Sequence, residues 1–197
     1  MSKVTINAAT KIVGIIGYPI GHSFSPLIQN AAFAAQNLNY AYIPLAVPPG
    51  DLAKAIDGLR AFGLAGANIT VPHKVAAREF LDDIDSSVRQ VGAVNTIVIK
   101  ENKCIGYNTD LAGFIRTLQI NKVAIAGKRA VVLGAGGAAR AVIAGLAAGQ
   151  AGEIVVAARQ AEKAGRLAEL FAAACPTRAV SFTDFAQALP DCHLLIN

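Results

Sequence analysis

The sequence predicts an α/β protein in two parts. Short apolar segments of strand length alternate with segments that read as helices from end to end. An apolar strand also runs straight into the turn Gly134-Ala135-Gly136-Gly137-Ala138-Ala139 and on into an Ala-rich helix, which is how a dinucleotide-binding βαβ unit begins. Finally, 197 residues at 54% hydrophobic content suit one large domain or two small ones with a substantial core.

Ile12–Ile16 reads as a buried strand, Pro26–Leu38 as a helix and Ala41–Val47 as a second strand. A helix over Gly50–Phe62 follows, with Asp51 near its positive end. Ala67–Val71 is the next strand, and Pro72 suits the first turn of a helix carrying Lys74 to Phe80. A short helix covers Asp83–Val91, and Val94–Ile99 with Lys103–Tyr107 forms a hairpin around Glu101-Asn102. Leu111–Leu118 is helical, and Gln119–Lys128 leads into the strand before the glycine turn, so the domain boundary falls within residues 110–128. Beyond the Ala-rich helix come a strand over Glu153–Ala158, a helix over Ala161–Ala174, an extended piece over Ala179–Phe182, a helix over Asp184–Leu189 and a strand over His193–Asn197.

In the glycine turn, Gly134 makes the tight bend and Gly136 lets main-chain N–H groups approach a pyrophosphate, although such turns between a strand and a helix also occur with no ligand. Ala139 supplies the small residue that close helix-to-sheet packing requires, and the helix N-terminus holds the phosphate charge. Where an acidic residue would take the adenine ribose 2′-OH and select NAD, this chain has Ala158-Arg159-Gln160. The Arg159 guanidinium is a partner for a 2′-phosphate, which favours NADP; the plainer alternative is a solvated charge at a strand end.

Four polar clusters precede the turn. Ser23 and Ser25 stand at alternate positions of a loop and can face one ligand, although Ser25 alone could cap the helix that Pro26 begins. Asn68 and Thr70 alternate in a strand and share a side, and Lys74 follows at a helix start. There it opposes the helix dipole, a local cost that points to another purpose; the plainer alternative is a surface lysine. Asn95 places an amide in an apolar strand, where burial demands partners. Asp110, in Asn108-Thr109-Asp110, is either a ligand-facing carboxylate or a helix N-cap.

Composition excludes several classes. No apolar run approaches a membrane span, and Met1–Thr10 lacks the basic and apolar parts of a signal peptide, which points to the cytoplasm. Cys104, Cys175 and Cys192 are scattered, so neither a disulfide framework nor a CxxC site is expected. His22, His73 and His193 have no ligand spacing, so no metal is expected, and His73 reads as a packing or hydrogen-bonding neighbour of Lys74. The net charge of +5 is spread without a basic run. It supports no nucleic-acid partner and is enough to attract a phosphorylated cofactor and an acidic substrate.

Taken in order, Gly21-His22-Ser23-Phe24-Ser25-Pro26, the stretch from Asn68 to Lys74, Gly92-Ala93-Val94-Asn95-Thr96, Asn108-Thr109-Asp110 and Gly134–Arg140 resemble the shikimate dehydrogenase family over nearly the whole chain. The resemblance implies a substrate-binding and catalytic domain over residues 1–110, an NADP-binding Rossmann domain over residues 111–197, and a reaction between them. That reaction is the NADP-dependent interconversion of shikimate and 3-dehydroshikimate in aromatic amino-acid (chorismate) biosynthesis. It also implies that Ser23 and Ser25 bind the substrate carboxylate, that Asn68, Thr70 and Asn95 bind its hydroxyl side, and that Lys74 and Asp110 form the catalytic pair, with Asp110 also binding a hydroxyl. Gly134–Ala138 would bind the pyrophosphate and Arg159 the 2′-phosphate. Oxidising an alcohol to a carbonyl requires one proton to leave the hydroxyl, and a side chain within reach to take it. Lys74 can serve, and which member of the pair accepts the proton stays open.

Two departures from the family bear on this reading. The usual Asn-Arg-Thr after the second Rossmann strand is Ala158-Arg159-Gln160 here, which would weaken the preference for NADP. Family members also continue beyond the point corresponding to Asn197, so the chain is expected to be an incomplete form whose three-stranded cofactor half leaves a sheet face and an edge for a homo-oligomeric contact. Two alternatives remain: a relative that prefers quinate, or an aminated analogue, over shikimate, and a non-catalytic NADP-binding remnant.

Overall fold

The computed structural model describes residues 6–197; residues 1–5, part of the stretch read for a leader, lie outside the described residues. The chain divides into two compact units. One runs up to Arg89 and resumes over Ala93–Asn108, and the other comprises Gln90–Gly92 and Thr109–Asn197. Among the described residues no helix is long and apolar enough to cross a membrane.

The first unit contains β1 (Lys11–Gly17), α1 (Ser25–Ala35), β2 (Tyr40–Ala46), α2 (Leu52–Ala61), β3 (Gly66–Ile69), β4 (Asp83–Ile84), most of α3 (Ser86–Val91), β5 (Thr96–Lys100) and β6 (Lys103–Tyr107). Its sheet has the order β2-β1-β3-β5-β6-β4. β1 pairs parallel with β2 and β3, and β5 runs antiparallel to both β3 and β6. Successive side chains of β1 go to opposite faces. Ile16 therefore joins Leu52, Ile56, Leu59, Ile69 and Ile97 in one core, and Ile15 joins Ile20 and Tyr42 in another. A strand covered on both faces reads as an unbroken apolar run, as Ile12–Ile16 does. Glu101 and Asn102 turn the β5–β6 hairpin in the left-handed region, at φ 51 and 62°.

The second unit contains α4 (Asp110–Ile120), β7 (Arg129–Leu133), α5 (Gly137–Ala148), β8 (Glu153–Ala158), α6 (Ala161–Phe171), β9 (Thr177–Ser181) and β10 (Leu194–Ile196). Its sheet is wholly parallel, in the order β10-β7-β8-β9. Val131, Val155 and Ala188 form part of its core, and α4 packs on α5 with the Phe114 ring against Gly145.

Several expected elements differ. Asp83 and Ile84 pair with β6 rather than opening a helix. The Asp85 carboxylate accepts from the Ser87 N–H at 2.8 Å, so α3 starts only at Ser86. No α-helix carries Lys74. The Val71–Pro72 peptide is cis, a turn follows, and a 3₁₀ helix spans Ala76–Phe80. The Lys74 carbonyl accepts from the Val94 N–H at 2.7 Å and is therefore spent outside any helix, so Lys74 opposes no helix dipole, contrary to expectation. Thr70 lies just past β3 and Asn95 just before β5, not within strands. The helix expected from Gly50 begins as a 3₁₀ turn over Pro49–Asp51; α6 stops at Phe171, and the last short helix is a 3₁₀ turn over Phe185–Ala188. The cofactor-type sheet has four strands instead of three, because β10 crosses over to pair with the free side of β7.

Candidate active site

Strand direction brings the polar clusters of the first unit to one end of its sheet. β1 and β3 are parallel and finish there. β5 is antiparallel and starts there, and β6 returns to it, so Asn68 pairs with Thr96, which in turn pairs with Tyr107. The β1–α1 loop brings Ser23 and the start of α1 brings Ser25, β3 brings Asn68, the chain just beyond it brings Thr70 and Lys74, and the residue before β5 is Asn95.

Ser25 is the first residue of α1 and not its cap; Phe24 holds that position without a side-chain cap bond. The Ser23 hydroxyl accepts from the Ser25 N–H at 3.2 Å, which ties the two serines together. Gly17 ends β1 against Thr70: a Cβ there would lie 2.5 Å from Thr70 Cγ2, so only glycine permits this approach. The Thr70 N–H donates to the Ile16 carbonyl at 2.9 Å and holds the residue in line with the strand. His73 is buried, and its Nε2 lies 2.7 Å from the Val47 carbonyl. A carbonyl only accepts, so Nε2 carries the proton and fastens the turn that bears Lys74 to the chain leaving β2.

Asn68 joins the largest polar cluster. Its Oδ1 accepts from the Tyr42 hydroxyl at 2.7 Å, and its Nδ2 lies 3.3 Å from the Asn95 carbonyl and 3.2 Å from Thr96 Oγ1. Thr96 Oγ1 donates to Asn95 Oδ1 at 3.0 Å. Asn95 is 8% exposed, and its main chain continues the ladder through the Tyr107 carbonyl and the Ile69 N–H. Burial pushes the Tyr42 hydroxyl up to about 12, against a smaller opposing effect of the Ser25 hydroxyl, so Tyr42 stays a protonated donor across the physiological range.

In the second unit, Gly134 turns the chain out of β7 at φ 110°, in the left-handed region that favours glycine, and donates its N–H to the Ala157 carbonyl at 2.7 Å. Gly136 caps α5 without a side-chain cap bond, and the first turn holds no acidic residue. A Cβ at Gly134 or Gly136 would meet no atom within 4 Å, and Ala139 is buried beneath. The α5 N-terminus thus presents main-chain donors to open space, the environment a pyrophosphate needs. β10 and β8 flank β7 on opposite sides, so the chain order reverses beside the glycine turn, at the switch point where open α/β sheets take ligands. Arg159 is exposed directly after β8, and Asp110 is the first residue of α4, whose N-cap is Thr109.

Sequence reasoning missed Tyr42, Thr96 and Asn108. Tyr42 reads as one more apolar strand residue, and its only signal is a hydroxyl that becomes costly once buried. Thr96 reads as an ordinary β-branched strand residue beside Asn95. Asn108 is buried, its side-chain amide donates to the Ala93 carbonyl at 2.8 Å and its main-chain N–H donates to the Ser87 hydroxyl oxygen at 3.0 Å, which fixes the chain just before Asp110.

The model of the shikimate dehydrogenase substrate binding domain matches residues 15–97, and that of shikimate / quinate 5-dehydrogenase matches residues 117–197. The chain is 51% identical over 172 residues to the shikimate dehydrogenase (NADP(+)) of Moorella thermoacetica, covering 87% of this chain and 58% of that protein. It is similar to the crystal structure of a shikimate dehydrogenase in complex with NADP+, at a TM-score of 0.87 and 40% identity, covering 98% of this chain and 68% of that one. It is also similar to the Listeria monocytogenes shikimate 5-dehydrogenase in complex with shikimate and NAD, at a TM-score of 0.83 and 31% identity, covering 97% and 68%. The chain spans about 60% of the length of the curated relatives it matches.

Proposed function

The chain belongs to the shikimate dehydrogenase family, and from that premise we propose that it interconverts shikimate and 3-dehydroshikimate with NADP in the cytoplasm, as a step of aromatic amino-acid biosynthesis. The observation that carries the reading is the gathering of Ser23, Ser25, Asn68, Thr70, Lys74 and Asn95 at one end of the first unit's sheet. That set pairs hydroxyl donors suited to a carboxylate with amides suited to ring hydroxyls, and adds one amine. In this reading residues 1–110 bind the substrate and residues 111–197 bind the cofactor.

Ser23 and Ser25 hold the substrate carboxylate, and Asn68, Thr70 and Asn95 hold its hydroxyls. Lys74 and Asp110 handle the proton that the reacting hydroxyl gives up, and Asp110 also takes a neighbouring hydroxyl. When bound, the nicotinamide cofactor supplies hydride transfer. The main chain of Gly134–Ala138 binds the pyrophosphate at the α5 N-terminus, and Arg159 binds the 2′-phosphate through charge-assisted bonds.

The test is reduction of NADP by the purified protein with shikimate and, side by side, with quinate. Turnover is expected with shikimate, and Lys74→Ala should lower it by about 10² to 10⁴ while leaving cofactor binding intact. Preference for quinate would revise the substrate, and near-normal turnover in the variant would remove Lys74 from the mechanism.

A further inference from the structure

The chain of hydrogen bonds that runs from α1 across the first unit's sheet has a direction. Each donor in it is determined by what the next atom can do. The Asn30 amide grips the main chain of Tyr42 on the outer edge of β2: Nδ2 donates to the Tyr42 carbonyl at 2.9 Å and Oδ1 accepts from the Tyr42 N–H at 2.9 Å. Tyr42, 5% exposed, then donates its hydroxyl to Asn68 Oδ1. The two hydrogens on Asn68 Nδ2 go to the Asn95 carbonyl and to Thr96 Oγ1, and the Thr96 hydrogen goes on to Asn95 Oδ1.

From this geometry we infer that Tyr42 is a positioning residue that locks the Asn68 amide with its oxygen as the only group left to meet a ligand. Both amide hydrogens are spent inside the protein, and one lone pair of Oδ1 remains beside the bond from Tyr42. A ligand group at Asn68 must therefore donate. This deepens the activity proposed above and rests on it for the identity of the ligand: a carbonyl oxygen only accepts, so the hydroxyl bound by Asn68 is one that stays a hydroxyl in both substrate and product. The oxygen that is oxidised lies elsewhere in the site.

Tyr42→Phe removes the donor to Asn68 and, with it, the contact of that hydroxyl with Ser25. In the ligand-free protein, the Asn68 side-chain amide resonances should shift and exchange faster with solvent in Tyr42→Phe, while the amides of Asn30 and Asn108 keep their positions; unmoved Asn68 resonances would overturn the inference. Thr96→Val, which removes the hydroxyl that receives the amide, must disturb the same resonances, and decides the point if Tyr42→Phe does not fold. In binding measurements, Tyr42→Phe should weaken shikimate by about fivefold, the worth of one ordinary hydrogen bond, and most of that loss should vanish in an Asn68→Ala background. Equal losses in both backgrounds would mean that Tyr42 acts through packing or Ser25 and not through Asn68, which overturns the inference. Asn68→Ala should weaken shikimate and 3-dehydroshikimate by the same factor, and unequal factors would return the reacting oxygen to Asn68. A wild-type protein that binds neither ligand would sink the proposed activity, and the resonance measurement would still decide the role of Tyr42.

Discussion

Replacing Gly17 with alanine tests the packing that holds Thr70 at the end of β1. The new methyl carbon would stand 2.5 Å from Thr70 Cγ2, 2.9 Å from Ile20 Cδ1 and 3.1 Å from the Val71 carbonyl oxygen. Carbon atoms attract best at about 3.5 to 4.0 Å, so the first of these contacts is short by an ångström or more. Thr70 cannot back away as a whole, because its N–H is bonded to Ile16, and the Val71 carbonyl accepts from the Tyr18 N–H at 3.0 Å. The branched side chain must leave its rotamer or the β1 end must shift. Overpacking of this kind costs about 1–3 kcal/mol, and losing the Tyr18–Val71 bond would add about 1 kcal/mol. Gly21, in the same loop, is the internal control. A Cβ there meets nothing within 4 Å and Gly21 is not among the positive-φ glycines, so Gly21→Ala should stay within about 1 kcal/mol of the wild type. Urea unfolding of the two variants makes the comparison, and shikimate titration should show weaker binding for Gly17→Ala alone, because Thr70 has moved. If Gly17→Ala proves as stable as Gly21→Ala, the close approach of β1 to Thr70 is not what positions that residue.

Two further outcomes are expected. Arg159→Ala should raise Kd for NADP and leave NAD nearly unchanged, since only NADP carries the 2′-phosphate; equal losses would make Arg159 structural. The Asp82 carboxylate accepts from Arg60 at 2.7 Å and from the Cys104 N–H at 2.7 Å, and these bonds hold its pKa below the usual carboxylate value. A depressed folded pKa means that the stabilisation is whole above the unfolded value, about 4, and is lost as pH falls through the folded one. Thermal melts from pH 6 downward should therefore show a smaller acid-induced fall in Tm for Asp82→Asn than for the wild type. Asp85, also held low by its bonds to Ser87 and Ser86, keeps part of the slope in both proteins.

What could be read in the sequence was local. The glycine turn, the Ala139 position and the Glu101-Asn102 hairpin each follow from what one residue type does to its own backbone, and each stands in the structure as expected. The turn bearing Lys74 could not be read that way. Its shape follows from a bond to Val94, twenty residues on, and a helix-starting proline gives no hint of a carbonyl claimed from so far away. The two-residue β4 exists only because β6 is beside it, and no periodicity survives in so short a piece. The crossing of β10 to the far side of β7 is likewise a matter of pairing and not of composition. Among the site residues, those that stand out in an apolar context were visible, as Asn68 and Asn95 were. Tyr42 was hidden, because its ring belongs to the core and its hydroxyl to the polar cluster.

The two sheets collect their functional groups by different means, and the chemistry of the proposed ligands accounts for it. A pyrophosphate is recognised by main-chain donors and the dipole of one helix, so a single strand-turn-helix connection in an all-parallel sheet suffices. A ring with a carboxylate and several hydroxyls needs side chains that converge from different directions. In a parallel sheet only the C-terminal ends of strands meet at one edge. Were β5 parallel to β3, its first residue would lie at the opposite end of the sheet, about 13–17 Å away for a strand of four or five residues. The reversal at β5 instead sets Asn95 and Thr96 against Asn68, and the return through β6 brings Asn108 to the same end before the chain enters α4 at Asp110. In the proposed function, the antiparallel pair is thus what would make a parallel α/β sheet a platform for a polyhydroxylated ligand.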